Sequence, residues 1–110
     1  MNLIPEYNQI IQSSNQPIII NFSEDASEIP ALRVSLWDGE KMLKLWTKDD
    51  VQIDGQEVTL PLTQAETAKY REGKVSLLIK WLDADGITEF GEEDVLVIRK
   101  FRDRVPMECR

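Results

Sequence analysis

A chain of 110 residues, 42% of them hydrophobic, is long enough for one core and too short for two, so one domain over residues 1–110 is expected. Its formal charge of −7 argues against nucleic acid as a partner, because phosphate contacts need a basic surface. No apolar run approaches the roughly 20 residues of a membrane span, and the chain has no histidine, which removes the commonest general base and the commonest metal ligand together.

Residues 1–16 are weakly patterned, with Ile10-Ile11 the only apolar pair after Pro5, and predict an edge strand or a loosely held arm. The opening MNLIPEYNQ has neither a charged leader nor a long apolar stretch, so no secretory signal is expected. Cys109, the single cysteine, makes no internal disulfide, and a reducing compartment, with synthesis in the cytoplasm, is the simpler expectation. After a turn at Asn15, Gln16 and Pro17, Ile18, Ile20 and Phe22 alternate onto one face of a buried strand. Ser23 to Glu28 is acidic and aperiodic and reads as a surface loop.

Leu32, Val34 and Leu36 alternate with Arg33, Ser35 and Trp37, and after Asp38-Gly39 the pattern resumes with Leu43 and Leu45 against Met42, Lys44 and Trp46. A loop of two or of four residues preserves parity, which predicts the five aliphatic residues on the core side and Trp37, Met42 and Trp46 on the other. Val51 and Ile53 lead into Asp54-Gly55, and Val58, Leu60 and Leu62 follow, a second hairpin with Val51 facing Val58. Thr63 with Glu66 fits a capping box that starts a helix at Gln64, and Gly73 is placed to end it after about two turns. Val75, Leu77, Ile79 and Trp81 then form the apolar face of a long strand, and Asp85-Gly86 turns it back. That turn sets Trp81 opposite Phe90 but carries Glu92 and Asp94 onto the apolar face, so a β-bulge near Gly91 to Glu93 is expected to bring Val95 opposite Leu77 and Val97 opposite Val75. The fold class that follows is all-β: an antiparallel immunoglobulin-like β-sandwich of about seven or eight strands with one short helix. Residues 105–110 are expected to form a flexible tail.

Chemistry is sparse. Without histidine no Ser–His or Cys–His nucleophile can be assembled, and a thiol at Cys109 lacks fixed neighbours to lower its pKa. No phosphate-binding or dinucleotide glycine motif and no cysteine pair is present. The carboxylates from Asp83 to Asp94 match only the opening of a calcium loop and suit a solvated acidic hairpin better, nor is there a sugar-stacking cleft beside them to suggest glycoside hydrolysis. No enzyme, cofactor or metal is therefore expected. Two surface features point to protein contacts. Trp37, Met42 and Trp46 form either a second buried face, covered by the arm or the helix, or an association patch; sugar stacking on the two Trp rings is a third reading. Arg99, Lys100, Arg102 and Arg104 form a basic run that is either a solvated strand end or a dock for an acidic neighbouring surface.

The order of Leu62-Thr63-Gln64 with Glu66-Thr67, Gly73, the strand Val75 to Trp81, the Asp85-Gly86 hairpin and the closing VLVIRK strand resembles small phage- and prophage-borne proteins of Gram-positive bacteria. These are similar in outline to the immunoglobulin-like N-terminal domain of phage baseplate upper proteins. The resemblance covers roughly Pro17 to Arg104 and transfers no catalytic residue. It implies a non-catalytic structural or adaptor module that acts through a protein partner or self-association, associated with a tail, baseplate or virion. The alternative reading is a small carbohydrate- or ligand-binding sandwich that uses Trp37 and Trp46.

Overall fold

Strict apolar and polar alternation sorts the strands into two facing sheets. The computed structural model describes residues 2–3 and 8–100. Among these lie nine strands and one α-helical turn, besides two 3-10 turns: β1 (Asn2–Leu3), β2 (Gln9–Ile11), β3 (Ile18–Asn21), β4 (Leu32–Asp38), β5 (Lys41–Thr47), β6 (Gln52–Asp54), β7 (Glu57–Leu60), α1 (Gln64–Thr67), β8 (Gly73–Leu82) and β9 (Glu89–Arg99). One sheet runs in the order β1-β3-β7-β6 and the other β2-β9-β8-β4-β5. All neighbours are antiparallel except β2 and β9. The weakly patterned N-terminal stretch thus supplies an edge strand to each sheet, with Ile10 buried in the core.

The core lies between the sheets. Ile18, Ile20, Val58 and Leu60 come from one side, and Val34, Leu36, Leu77, Ile79, Leu96 and Ile98 from the other. Each is a β-branched or leucine side chain at an alternate position, which a half-buried pleated surface favours. The acidic loop after β3 departs from its expected form, because Ala26 to Glu28 make a 3-10 turn whose Ala26 is buried, with Asp25 accepting from the Ser27 N–H at the cap.

The capping box forms as its spacing demands. The Glu66 N–H donates to Thr63 Oγ1 at 3.1 Å, while the Thr63 N–H donates to Glu66 Oε1 at 3.0 Å. The helix is a single turn rather than two, and Gly73 does not end it. Gly73 instead opens β8 with a φ of +137°, a conformation that any Cβ would strain. The second hairpin turns at Gly55-Gln56 rather than Asp54-Gly55, pairing Ile53 with Val58; Val51 and Ile53 still pack against the core, because a slip of two residues conserves the face.

Two register expectations are reversed. β4 and β5 carry a bulge between Leu36 and Trp37, so that Trp37 pairs with Met42 but Leu36 pairs with Lys44, leaving Leu43 as the additional residue. One added residue changes parity where a longer loop would not. Trp46 therefore sits opposite Val34 on the core side, and Leu45 faces outward opposite Ser35. In β9 the opposite holds: no bulge interrupts the pairing from Leu82–Glu89 to Gly73–Ile98, so Glu92 and Asp94 do sit opposite Ile79 and Leu77. The cost that argued for a bulge is relieved at Glu92, because β2 pairs only with Val97 to Arg99 and leaves the start of β9 as a sheet edge where Glu92 is exposed; it remains at the half-buried Asp94, whose Oδ2 is buried with no hydrogen-bond partner among the described residues. Leu96 opposite Val75, and not Val97, completes the core.

Candidate functional site

Side-chain parity defines the outer face of the five-stranded sheet. Across β9, β8, β4 and β5 one row runs Glu93, Leu78, Ser35, Leu45, and the next runs Val95, Ser76, Trp37, Met42. Five apolar side chains thus converge on a surface that nothing described in the chain covers. Val95 is 57% exposed, Met42 46% and Leu45 40%, while Leu78 and Trp37 are half-buried by their neighbours. Large apolar side chains gathered in one patch, rather than scattered singly, are the usual mark of an interaction surface. Trp37 is held in place by its indole N–H, which donates to Ser35 Oγ at 2.8 Å and fixes the ring on the sheet. Such fixing lowers the entropy that docking against the ring would cost.

Charge surrounds this centre. Arg33 and Lys80 pair at one end of the face, and Lys74, beside Val97, closes the other, all exposed. Arg99 follows on β9 with the same outward parity, and the Lys100 N–H donates to Glu72 Oε2 at 3.3 Å. So Arg99, of the expected basic run, and the Trp37–Met42 pair, separate in sequence, belong to one face of one sheet. Arg102 lies outside the described residues, as do Arg104 and Cys109.

Trp46 leaves this set. It is 1% exposed, and its indole N–H donates to Pro61 O at 2.9 Å, so its burial leaves no polar atom without a partner. Lys44, on the same side of β5, reaches Glu66 Oε2 and stands 5.9 Å from the Trp46 ring centroid. Trp37 and Trp46 therefore point to opposite sides of the sheet and make no sugar-stacking platform.

The helical turn is a structural clamp. Burial pushes the Glu66 carboxyl up, but hydrogen bonds from Lys44 and from the Thr63 N–H and hydroxyl, with the Lys44 charge, outweigh it and hold the group below its ordinary value. Thr67, 1% exposed, accepts from the Ser14 N–H at 2.9 Å and donates to Ser14 O at 2.6 Å, tying the turn to the segment before β3. Tyr70 is buried beside it; burial, and then the Glu66 charge, raise its hydroxyl to about 12.

Asp85 and Gly86 are also structural. The hairpin keeps the register of a turn at these residues, yet the strands separate after Leu82 and Glu89, leaving a six-residue loop between them. Asp85 Oδ1 accepts from the Ile87 and Thr88 N–H groups, Oδ2 accepts from the Thr88 hydroxyl, and Gly86 takes a φ of +74°. The Thr88 and Ile87 N–H groups and the Thr88 hydroxyl hold the Asp85 carboxyl below its ordinary value. With both oxygens so engaged, Asp85 caps the loop. Among the described residues no group of three or more acidic, His or Cys side chains is placed to hold a metal ion. Nor is any described helix long and apolar enough to cross a membrane.

Sequence reasoning missed Leu45, Leu78 and Val95. Leu78 was visible as an apolar residue, with Leu82, among Ser76 and Lys80 on the other side of β8, and Val95 follows directly from pairing Trp81 with Phe90 and counting on without a bulge. Leu45 carried no such signal, since its direction depends on the bulge at Leu43. No protein-family model matches the chain, and a search of curated proteins finds no relative.

Proposed function

We propose that this protein is a non-catalytic association module whose contact surface is the outer face of the five-stranded sheet. The observation that carries the reading is the convergence of Trp37, Met42, Leu45, Leu78 and Val95 on one face that no described residue covers, with Arg33, Lys74, Lys80 and Arg99 at its border and Glu93 beside Leu78. An apolar centre with a basic border suits a protein surface of similar apolar character bordered by carboxylates. The chain itself, with a net charge of −7, offers acidic surface elsewhere, so copies of this protein are the first partner to test. The resemblance carried by Leu62-Thr63-Gln64, Glu66-Thr67 and the strand from Val75 favours a structural or adaptor role in a phage or prophage, made in the cytoplasm and joined to a tail, baseplate or virion. The absence of histidine from the chain supports a role without catalysis.

Sedimentation velocity on wild type and Val95→Glu tests the self-association form. Wild type is expected to sediment faster as concentration rises, and Val95→Glu to remain monomeric with an unchanged circular dichroism spectrum. Monomeric wild type at every concentration contradicts it.

A further inference from the structure

At the end of the sandwich away from the basic strand end, a cleft of about 410 Å³ opens between the loop after β3 and the β8–β9 hairpin. Its floor is aromatic. Trp81 meets Phe22 edge to face at 5.1 Å between ring centroids and stacks on Phe90 at 5.6 Å, an arrangement that holds all three rings in place. Phe90 is 43% exposed on this floor even though Phe22 beneath is buried. The walls are acidic: Glu24 and Glu28 line one side and Asp83 the other. Asp25 joins them, and hydrogen bonds from the Ser27 hydroxyl and N–H hold its carboxyl below the ordinary range, so it stays charged. No Lys or Arg is among the described lining residues.

We infer that this cleft binds an organic cation, its ammonium or guanidinium head lying against the Trp81 and Phe90 rings with the wall carboxylates around it. Both features of the site favour the same charge. Ring faces carry the negative part of the aromatic quadrupole and attract a weakly hydrated cation, while carboxylates in a concave wall with no Lys or Arg among its described residues focus a negative potential. A neutral sugar also stacks on aromatic rings, but it needs donors as well as acceptors from the wall, and the charged side chains here only accept. An inorganic cation such as calcium gains nothing from the rings. The inference is independent of the association face, which lies on the outward side of the sheet.

The test is titration of the isotope-labelled full chain followed by the indole N–H signal of Trp81, with tetramethylammonium, acetyl-arginine amide, glucose and calcium as separate probes. Saturable shifts of Trp81 with either organic cation are expected, with Trp46 unmoved. Tetramethylammonium alone would assign the cleft to a quaternary ammonium group, and the arginine derivative alone to a basic side chain of a protein. Phe90→Ala is expected to weaken the binding about fivefold; the double variant Glu28→Gln with Asp83→Asn, the first position exposed and the second half-buried, should weaken it further and reduce its salt dependence. An unmoved Trp81 signal with both cations, an equal response to glucose or calcium, or binding unchanged in the double variant overturns the inference.

Discussion

The two sheets bury similar residues on their inner faces and present opposite chemistry on their outer ones. On the four-stranded sheet the outward row Ile19, Thr59 and Gln52 is followed by Asn21, Glu57 and Asp54, so one half-buried isoleucine is the only aliphatic side chain among six. On the five-stranded sheet the two corresponding rows hold Leu78, Leu45, Val95, Trp37 and Met42 alongside Glu93, Ser35 and Ser76. A polar outer face is what a one-sided antiparallel sheet carries when it meets water. The contrast within one molecule removes composition as the explanation and leaves the position of the apolar residues as the thing to be explained.

The largest effect expected is on Trp46, which separates inner from outer on the shared strand β5. Trp46→Ala should cost about 3–5 kcal/mol of folding stability, the usual consequence of emptying a buried aromatic site, whereas Trp37→Ala should cost less than half of that. Urea unfolding followed by far-ultraviolet circular dichroism measures both. Equal losses would break the distinction between the two sides of the sheet.

A smaller effect is expected at the helical clamp, which reaches Trp46 only through Lys44. Thr63→Ala removes the acceptor for the Glu66 N–H and should cost about 1 kcal/mol. Because the folded Glu66 carboxyl lies below its ordinary value of 4.5, its contribution is complete above the unfolded pKa and is lost as pH falls through the folded one. Denaturant midpoints between pH 7 and about 3 should therefore drop less steeply on the acid side in Glu66→Gln than in wild type. A steeper drop in the variant would contradict the sign.

The smallest effects on folding sharpen the comparison most. Leu45→Glu and Ile19→Glu place the same charge on the two outer faces, and each should alter folding stability by no more than about 0.5–1 kcal/mol. Association should differ: Leu45→Glu abolishes it and Ile19→Glu leaves it unchanged, as read by light scattering at matched concentrations. Loss in both variants would mean that added charge, not the face, is responsible.

Local features of the fold were legible because their signals are local. Thr63 and Glu66 are three residues apart and satisfy each other's backbone, and the Trp81–Phe90 pairing follows from where Asp85-Gly86 falls. The direction of Trp46 was not legible. It depends on a bulge at Leu43 that is accompanied by contacts far along the chain, Trp46 with Pro61 and Lys44 with Glu66, 15 and 22 positions away. The error in β9 had a different origin. Alternation does not reveal that β2 is too short to cover the start of β9, which leaves Glu92 exposed, nor that the sheet tolerates Asp94 with a buried, unpartnered Oδ2. Of the outer face, Trp37 and Met42 could be read from alternation, Arg99 was marked only by its place in a basic run, and the remaining members required the registers.

The central claim, that the outer face of the five-stranded sheet is the contact surface, is tested most directly by methyl and indole NMR spectra recorded across a dilution series. Concentration-dependent shifts are predicted for Leu45, Leu78, Val95 and the Trp37 indole, with Ile19 constant. Shifts centred on Ile19 and its neighbours, or spectra that do not change with concentration, would contradict it.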